Sequence, residues 1–242
     1  MVPMSVIGSS YFHDFQSDSP EAVSRLVYQK YANIKAAPLF AKLPSTLPYS
    51  FRATKADQGF YYLYTPKEMD KDTRLIIFLH GFGGCFQYYV HFMSKAFPKD
   101  VIVFPVYGYS GGLVTNAYLS DLWKDLKLRV PNAGTKPWMV GISAGGYSVF
   151  RMYADSPDNF AGGVCIASVC PRNILPKLKR DMRLLMINGT QEQGLPLKQL
   201  EAHAGWIGNR VENFQFHAME GTHFFLFSKE KEVARAMTQF MD

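Results

Sequence analysis

Apolar residues fall in short dense runs along this chain, and stretches with helical spacing separate the runs. The runs are "GFYYLYTP", "TRLIIFLHGFGG", "DVIVFPVYGYSGG", "WMVGISAGG", "GGVCIASV", "LLMING" and "VENFQFHAME". Most lack a polar side, as strands do when a sheet is covered on both faces. Between them lie "FQYYVHFMSKAF", "TNAYLSDLWKDLKLRV", "GGYSVFRMYAD", "PLKQLEAHAGWI" and "KEKEVARAMTQFM". The second of these carries Ala117, Leu119, Leu122, Trp123, Leu126 and Leu128 at helical intervals. Strands alternating with helices predict an α/β fold: a doubly wound, mostly parallel sheet with helices on both faces. The site of such a sheet lies at the carboxyl ends of its strands, where the glycine-rich turns of this sequence fall.

The pattern differs before Gly59. Val23, Leu26, Val27 and Tyr31 form a stripe that predicts a helix within Pro20 to Ala32. Pro38, Pro44 and Pro48 then mark an irregular connection. The expected organisation is one domain, with residues 1–58 as a helix and irregular arm packed on a core formed by residues 59–242. No linker of Pro, Gly and Ser separates the parts, and no internal repeat is visible.

Composition narrows the function classes. The chain has 242 residues, 48% hydrophobic and 19% charged, which suits one globular core. Its formal charge of +6 is scattered. The densest basic group, Lys177 to Arg180, reads as a solvated face, and no nucleic-acid signature accompanies it. The three cysteines, Cys85, Cys165 and Cys170, do not make a disulfide framework. Cys165 and Cys170 share the stretch "GGVCIASVC" and, on one extended strand, would be too far apart to bridge. Buried, reduced thiols are expected. No run is long enough to cross a bilayer, and the first residues lack a charged stretch followed by an apolar one, so a cytoplasmic location is expected. No H-E-x-x-H, paired Cys/His spacing or Walker lysine appears, so neither a metal nor a nucleotide cofactor is expected.

The chemistry gathers around one serine. Gly141-Ile142-Ser143-Ala144-Gly145 fits G-x-S-x-G between a strand and a helix. A turn that tight needs residues without a Cβ, and it lifts the serine hydroxyl above the sheet edge in front of the free N–H groups of the helix. A packing turn is the plainer alternative. A nucleophilic serine needs a base from outside its own turn. Among the six histidines, His13 lies in the arm, His91 and His203 lie in helical stretches and His217 lies inside the last strand. His80 precedes the "GFGG" cluster and reads as an organiser of that loop. His223, in "EGTHFF", follows the last strand and is the expected base.

The base needs a carboxylate to fix its tautomer. Asp181 precedes its strand and Asp155 and Asp158 follow the helix after Ser143, so these three fall at the opposite edge, and Glu201 falls in a helical stretch. Glu192, in "TQEQGLP", remains. The order Ser143, Glu192, His223 is the order an elbow of this type requires. Oxyanion donors are expected from the N–H groups of Ala144 and of Phe82, in "HGFGG". Phe86, Tyr107, Tyr109 and Phe224 are candidates for a substrate pocket, with core packing as the alternative. Cys85 reads as structural.

From about Gly59 onward the chain resembles an α/β-hydrolase, on the pieces "LIIFLHGFGG", "GISAGG", "INGTQEQGLP" and "GTHFF". "YADSPDNFAGGVCIAS" resembles the helix, loop and strand that follow the elbow in esterases and depolymerase-like members. The resemblance implies a serine hydrolase that cleaves carboxylic esters of small molecules through an acyl-enzyme. Glutamate stands where aspartate is commoner. "CPRNILPKLKRDMR" is too short for the cap domain many members insert there, so an open site is expected. Thioesterase, lipase or peptidase chemistry would use the same groups, as would a lyase. A binding protein on this fold is the non-enzymatic alternative, marked by loss of a triad member. Substrate identity and oligomeric state are not legible.

Overall fold

The computed structural model describes residues 29–30, 60–81, 86–107, 116–131, 136–192 and 195–242. Among them the elements run β1 (Phe60–Tyr64), β2 (Leu75–Leu79), α1 (Phe86–Ala96), β3 (Val101–Val106), α2 (Asn116–Arg129), β4 (Trp138–Ile142), α3 (Ala144–Asp155), β5 (Gly162–Ile166), β6 (Arg183–Gly189), α4 (Leu197–Gly208), β7 (Asn213–Met219) and α5 (Glu230–Met241). Each strand and helix expected between Gly59 and the final residue is present. The strands form one sheet in the order β1-β3-β2-β4-β5-β6-β7. β1 is antiparallel to β3 and every other pairing is parallel.

The absence of a polar side on the inner strands now has its cause. Ile76 and Phe78 of β2 face the layer that holds α1 and α5, together with Tyr88, Val140, Ile166 and Phe240. Leu75, Ile77 and Leu79 face the opposite layer of α2, α3 and α4, with Leu122, Phe150 and Ile207. Fully burying each of these side chains contributes about 1.5–3 kcal/mol. β7 is the edge strand, and its exposed Asn213, Gln215 and Ala218 alternate with half-covered residues.

Register levels the strand ends. Leu79 pairs with Gly141, Ile142 with Ile166, Ile166 with Ile187, and Gly189 with Met219. The turns after β2, β4, β5, β6 and β7 therefore share one rim. The opposite rim is tied by Arg74, whose guanidinium donates to Asp100 at 2.9 Å and to Asp242 at 2.8 Å.

One premise of the sequence reading changes. Cys165 and Cys170 do not share a strand: β5 ends at Ile166 and the chain turns at Ala167, where φ is 49°. Both thiols are buried and free, and burial pushes the Cys170 thiol up to about 12. Cys85 lies outside the described residues. So does the arm over 1–58, except for the helical residues Gln29 and Lys30. Lys30 Nζ pairs with Glu230 Oε1 at 2.9 Å in the first turn of α5. Among the described residues no helix is long and apolar enough to cross a membrane.

Candidate active site

The turn after β4 is closely packed. A Cβ on Gly145 would overlap the carbonyl of Leu79, so only glycine lets α3 start this close to β2. Ser143 is held between strand and helix at φ 52° and ψ −119°, a conformation that costs a non-glycine residue about 1–3 kcal/mol. Its N–H donates to the Ile166 carbonyl at 2.9 Å, and its carbonyl accepts the N–H groups of Gly146 at 2.9 Å and Tyr147 at 3.3 Å. The strand ladder and the first helical turn thus fix the backbone of Ser143 from both sides, leaving its side chain half-exposed above the rim.

Two further turns bring their side chains to it. His223, after β7, has Nε2 3.1 Å from Ser143 Oγ and Nδ1 2.8 Å from Glu192 Oε2. Glu192, after β6, accepts the Gly189 N–H on Oε1 at 3.4 Å. With Nδ1–H donating to the carboxylate, Nε2 is left as an acceptor toward the serine hydroxyl. The Glu192 side chain is 9% exposed and His223 is 18% exposed, so the carboxylate is shielded while the imidazole keeps an open edge. Phe224 stands edge-on to the His223 ring at 5.6 Å.

The turn after β2 closes the third side. A Cβ on Gly81 would lie 3.1 Å from Ser143 Cβ, which puts the entry of the "HGFGG" loop directly against the serine. Phe82 and Tyr109 lie outside the described residues. The Ala144 N–H opens α3 and so has no partner within the helix. His80 is 8% exposed. Its Nδ1 lies 2.6 Å from the Gly81 carbonyl, and burial lowers its pKa from the ordinary imidazole value. Tyr107 stacks on the His80 ring at 4.0 Å and donates its hydroxyl to the His80 carbonyl at 2.6 Å. Phe86 meets the same ring edge-on at 4.7 Å. Phe86 and Tyr107 thus pack beside the loop through His80.

The other titratable groups weighed in the sequence lie apart. His91 and His203 are held below the ordinary imidazole pKa, chiefly by burial. His217 lies 3.5 Å from Gln215 Oε1 on the edge strand. Asp155 pairs with Lys177 at 3.1 Å. His13 lies outside the described residues. Among the described residues no three His, Cys, Asp or Glu side chains converge as metal ligands. A cavity of about 500 Å³ beside α2, lined by Ile77, Leu119, Trp123, Pro137 and Phe160, contains none of the rim residues.

Two residues absent from the sequence reading also border the serine. Ser168 donates its hydroxyl to the Ser143 carbonyl at 3.0 Å. Tyr147, one helical turn beyond Ser143, is partly exposed, and the partial burial of its phenol, with the charge of Glu192, raises its pKa. The i, i+4 spacing from Ser143 would have marked Tyr147. Nothing in the local pattern marks Ser168.

Comparison with known proteins bears on the fold that carries this rim. A family model described as "Alpha/beta hydrolase family" matches residues 76–238. No curated protein matches the sequence. Among solved structures, naproxen esterase (carboxylesterase NP) from Bacillus subtilis is 12% identical, with a TM-score of 0.61 over 93% of this chain and 99% of its own. An alpha-beta serine hydrolase homologue from Coxiella burnetii is 20% identical, with a TM-score of 0.59 over 78% of this chain and 94% of its own. The esterase Pf2001 from Pyrococcus furiosus is 14% identical, with a TM-score of 0.57 over 76% and 86%. At these identities the likeness is one of fold.

Proposed function

The chain belongs to the alpha/beta hydrolase family, and on that premise we propose that it is a serine hydrolase of carboxylic esters acting through a Ser143-His223-Glu192 triad. The observation that carries this reading is the His223 ring, within hydrogen-bond reach of both Ser143 Oγ and the Glu192 carboxylate.

Ser143 Oγ attacks the ester carbonyl carbon while His223 Nε2 takes its proton. The carbonyl oxygen becomes an oxyanion facing the N–H groups of Ala144 and Phe82. Glu192 holds the ring and stabilises the imidazolium. Collapse of the tetrahedral intermediate breaks the ester C–O bond, and His223 returns the proton to the departing alcohol oxygen. Water then attacks the acyl-enzyme, giving up its proton to His223, and the acid product leaves as Ser143 is re-protonated.

The crossing from β5 to β6, residues 167–182, carries only a short 3-10 turn and no cap. The preference for esters over peptides rests on the neighbours named as esterases. Phe86, Tyr107, Tyr109 and Phe224 would border an acyl or aryl pocket, with Tyr147 as a further aromatic at the rim. Buried free thiols fit a reducing, cytoplasmic setting.

Hydrolysis of p-nitrophenyl esters from acetate to decanoate tests the reaction class. The reading expects turnover that depends on Ser143 and peaks within the series. Turnover confined to thioesters or peptide anilides would replace it with one of the rival chemistries.

A further inference from the structure

The Ser143 carbonyl carries a bond that the helix does not need. Two helical N–H groups, of Gly146 and Tyr147, already point at it, matching the two lone pairs of a carbonyl oxygen. The Ser168 hydroxyl donates to it as well, at 3.0 Å. This third donor comes from the neighbouring strand end and is itself 3% exposed.

The placement of Ser168 is built into two backbone features. β5 ends at Ile166, and Ala167 takes a φ of 49° while its N–H donates to Ile187 at 2.8 Å. That turn brings Ser168 under the first turn of α3. There the missing side chain of Gly146 makes the space: a Cβ at Gly146 would overlap Ser168 Oγ and Cβ. Ser168 Oγ thus occupies the space that a side chain at position 146 would fill, shielded from solvent.

The carbonyl it holds belongs to the peptide that joins Ser143 to Ala144. A trans peptide is planar, so its C=O and N–H point in opposite directions along one rigid plane. Fixing the carbonyl beneath the site fixes the Ala144 N–H above it. We infer that Ser168 is a positioning residue that clamps the Ser143–Ala144 peptide and so aims the Ala144 N–H at the oxyanion. Ser168 touches no substrate. Its effect passes through the strained serine, whose conformation persists only where its surroundings over-determine it. The inference rests on the proposed roles of Ser143 and Ala144.

The test compares wild type, Ser168→Ala and Ser168→Thr. Each is assayed with a p-nitrophenyl ester and with an aryl trifluoromethyl ketone, which forms a tetrahedral oxyanion adduct. For Ser168→Ala the inference expects kcat to fall about tenfold with KM unchanged, the size of one neutral hydrogen bond acting in the transition state. The trifluoromethyl ketone should weaken by about the same factor, with the melting temperature near that of wild type. Ser168→Thr keeps the hydroxyl and, with a melting temperature near that of wild type, should recover most of both losses. Ser168→Ala with unchanged kcat and ketone affinity overturns the inference. So does a fall in kcat that leaves ketone affinity untouched. If Ser168→Ala folds poorly, Ser168→Cys supplies the comparison: its weaker donor should give an intermediate, parallel loss in kcat and ketone affinity, and non-parallel losses count against the clamp. If wild type neither turns over the ester nor binds the ketone, the proposed function has failed, an outcome separate from failure of the clamp.

Discussion

Two neighbouring strands of this sheet end in the same unusual way. β4 runs out at Ser143 with φ 52°, and β5 runs out at Ala167 with φ 49°. They are the only non-glycine residues with positive φ among the described residues. The outcomes differ. At β4 the turn lifts a serine into the open rim, within 3.1 Å of His223 Nε2. At β5 the turn sends the next serine, Ser168, inward to a position 3.0 Å from the Ser143 carbonyl. One backbone device thus serves presentation at one strand end and support at the next. Strain alone does not distinguish Ser143 from Ala167; the imidazole across the rim does.

The comparison breaks most sharply in activity. Ser143→Ala should lower kcat by about 10⁵-fold or more, since the attacking atom is gone. Steady-state ester hydrolysis on purified protein, with Tm checked in parallel, measures it. Glu192→Gln should cost about 10⁴-fold in kcat, because an amide cannot stabilise the imidazolium or hold its tautomer. Full activity in that variant would show that another carboxylate, or none, serves His223.

Stability sharpens the same comparison at a smaller scale. Ser143→Gly and Ala167→Gly should each stabilise the fold by about 1 kcal/mol, as relief of strain exceeds the entropy that glycine adds to the unfolded chain. At Ser143 the ψ of −119° lies outside the left-handed region that a positive φ otherwise allows. Urea denaturation of both variants checks the gain. A Ser143→Gly variant less stable than Ser143→Ala, by the roughly 0.5–1 kcal/mol that glycine's entropy costs, would mean that the turn stores no strain.

The smallest expected effect is with pH. Burial holds His80, His91 and His203 below the ordinary value of 6.5. Below that pH the unfolded chain therefore binds more protons than the folded one, and stability rises with pH across the window. The urea midpoint should fall as pH drops from about 7 toward the lowered folded-state values. In a His203→Gln variant the fall should be shallower. A midpoint independent of pH would contradict it.

Much of this was legible in sequence, and the reasons are physical. Uninterrupted apolar runs mark strands covered on both faces, and the sheet order then puts their downstream turns on one rim. That logic separates Glu192 and His223 from Asp155, Asp181 and His217 without any coordinates. It does not reach Ser168. "CIASV" reads as uninterrupted strand because alanine gives no turn signal, and the positive φ at Ala167 is imposed by packing around Ser143 and Gly146 rather than by local preference. The same turn removes Cys170 from the strand that its sequence suggests. The antiparallel pairing of β1 with β3 was equally hidden, since a strand's periodicity carries its faces but not its partner.

The central claim is that Ser143 is an activated nucleophile. Intact-mass analysis after treatment with an alkyl fluorophosphonate tests it most directly. One adduct is expected on wild type, mapped to the peptide containing Ser143, with none on Ser143→Ala and strongly slowed labelling on His223→Ala. An unlabelled wild type, or equal labelling of wild type and Ser143→Ala, would contradict the account.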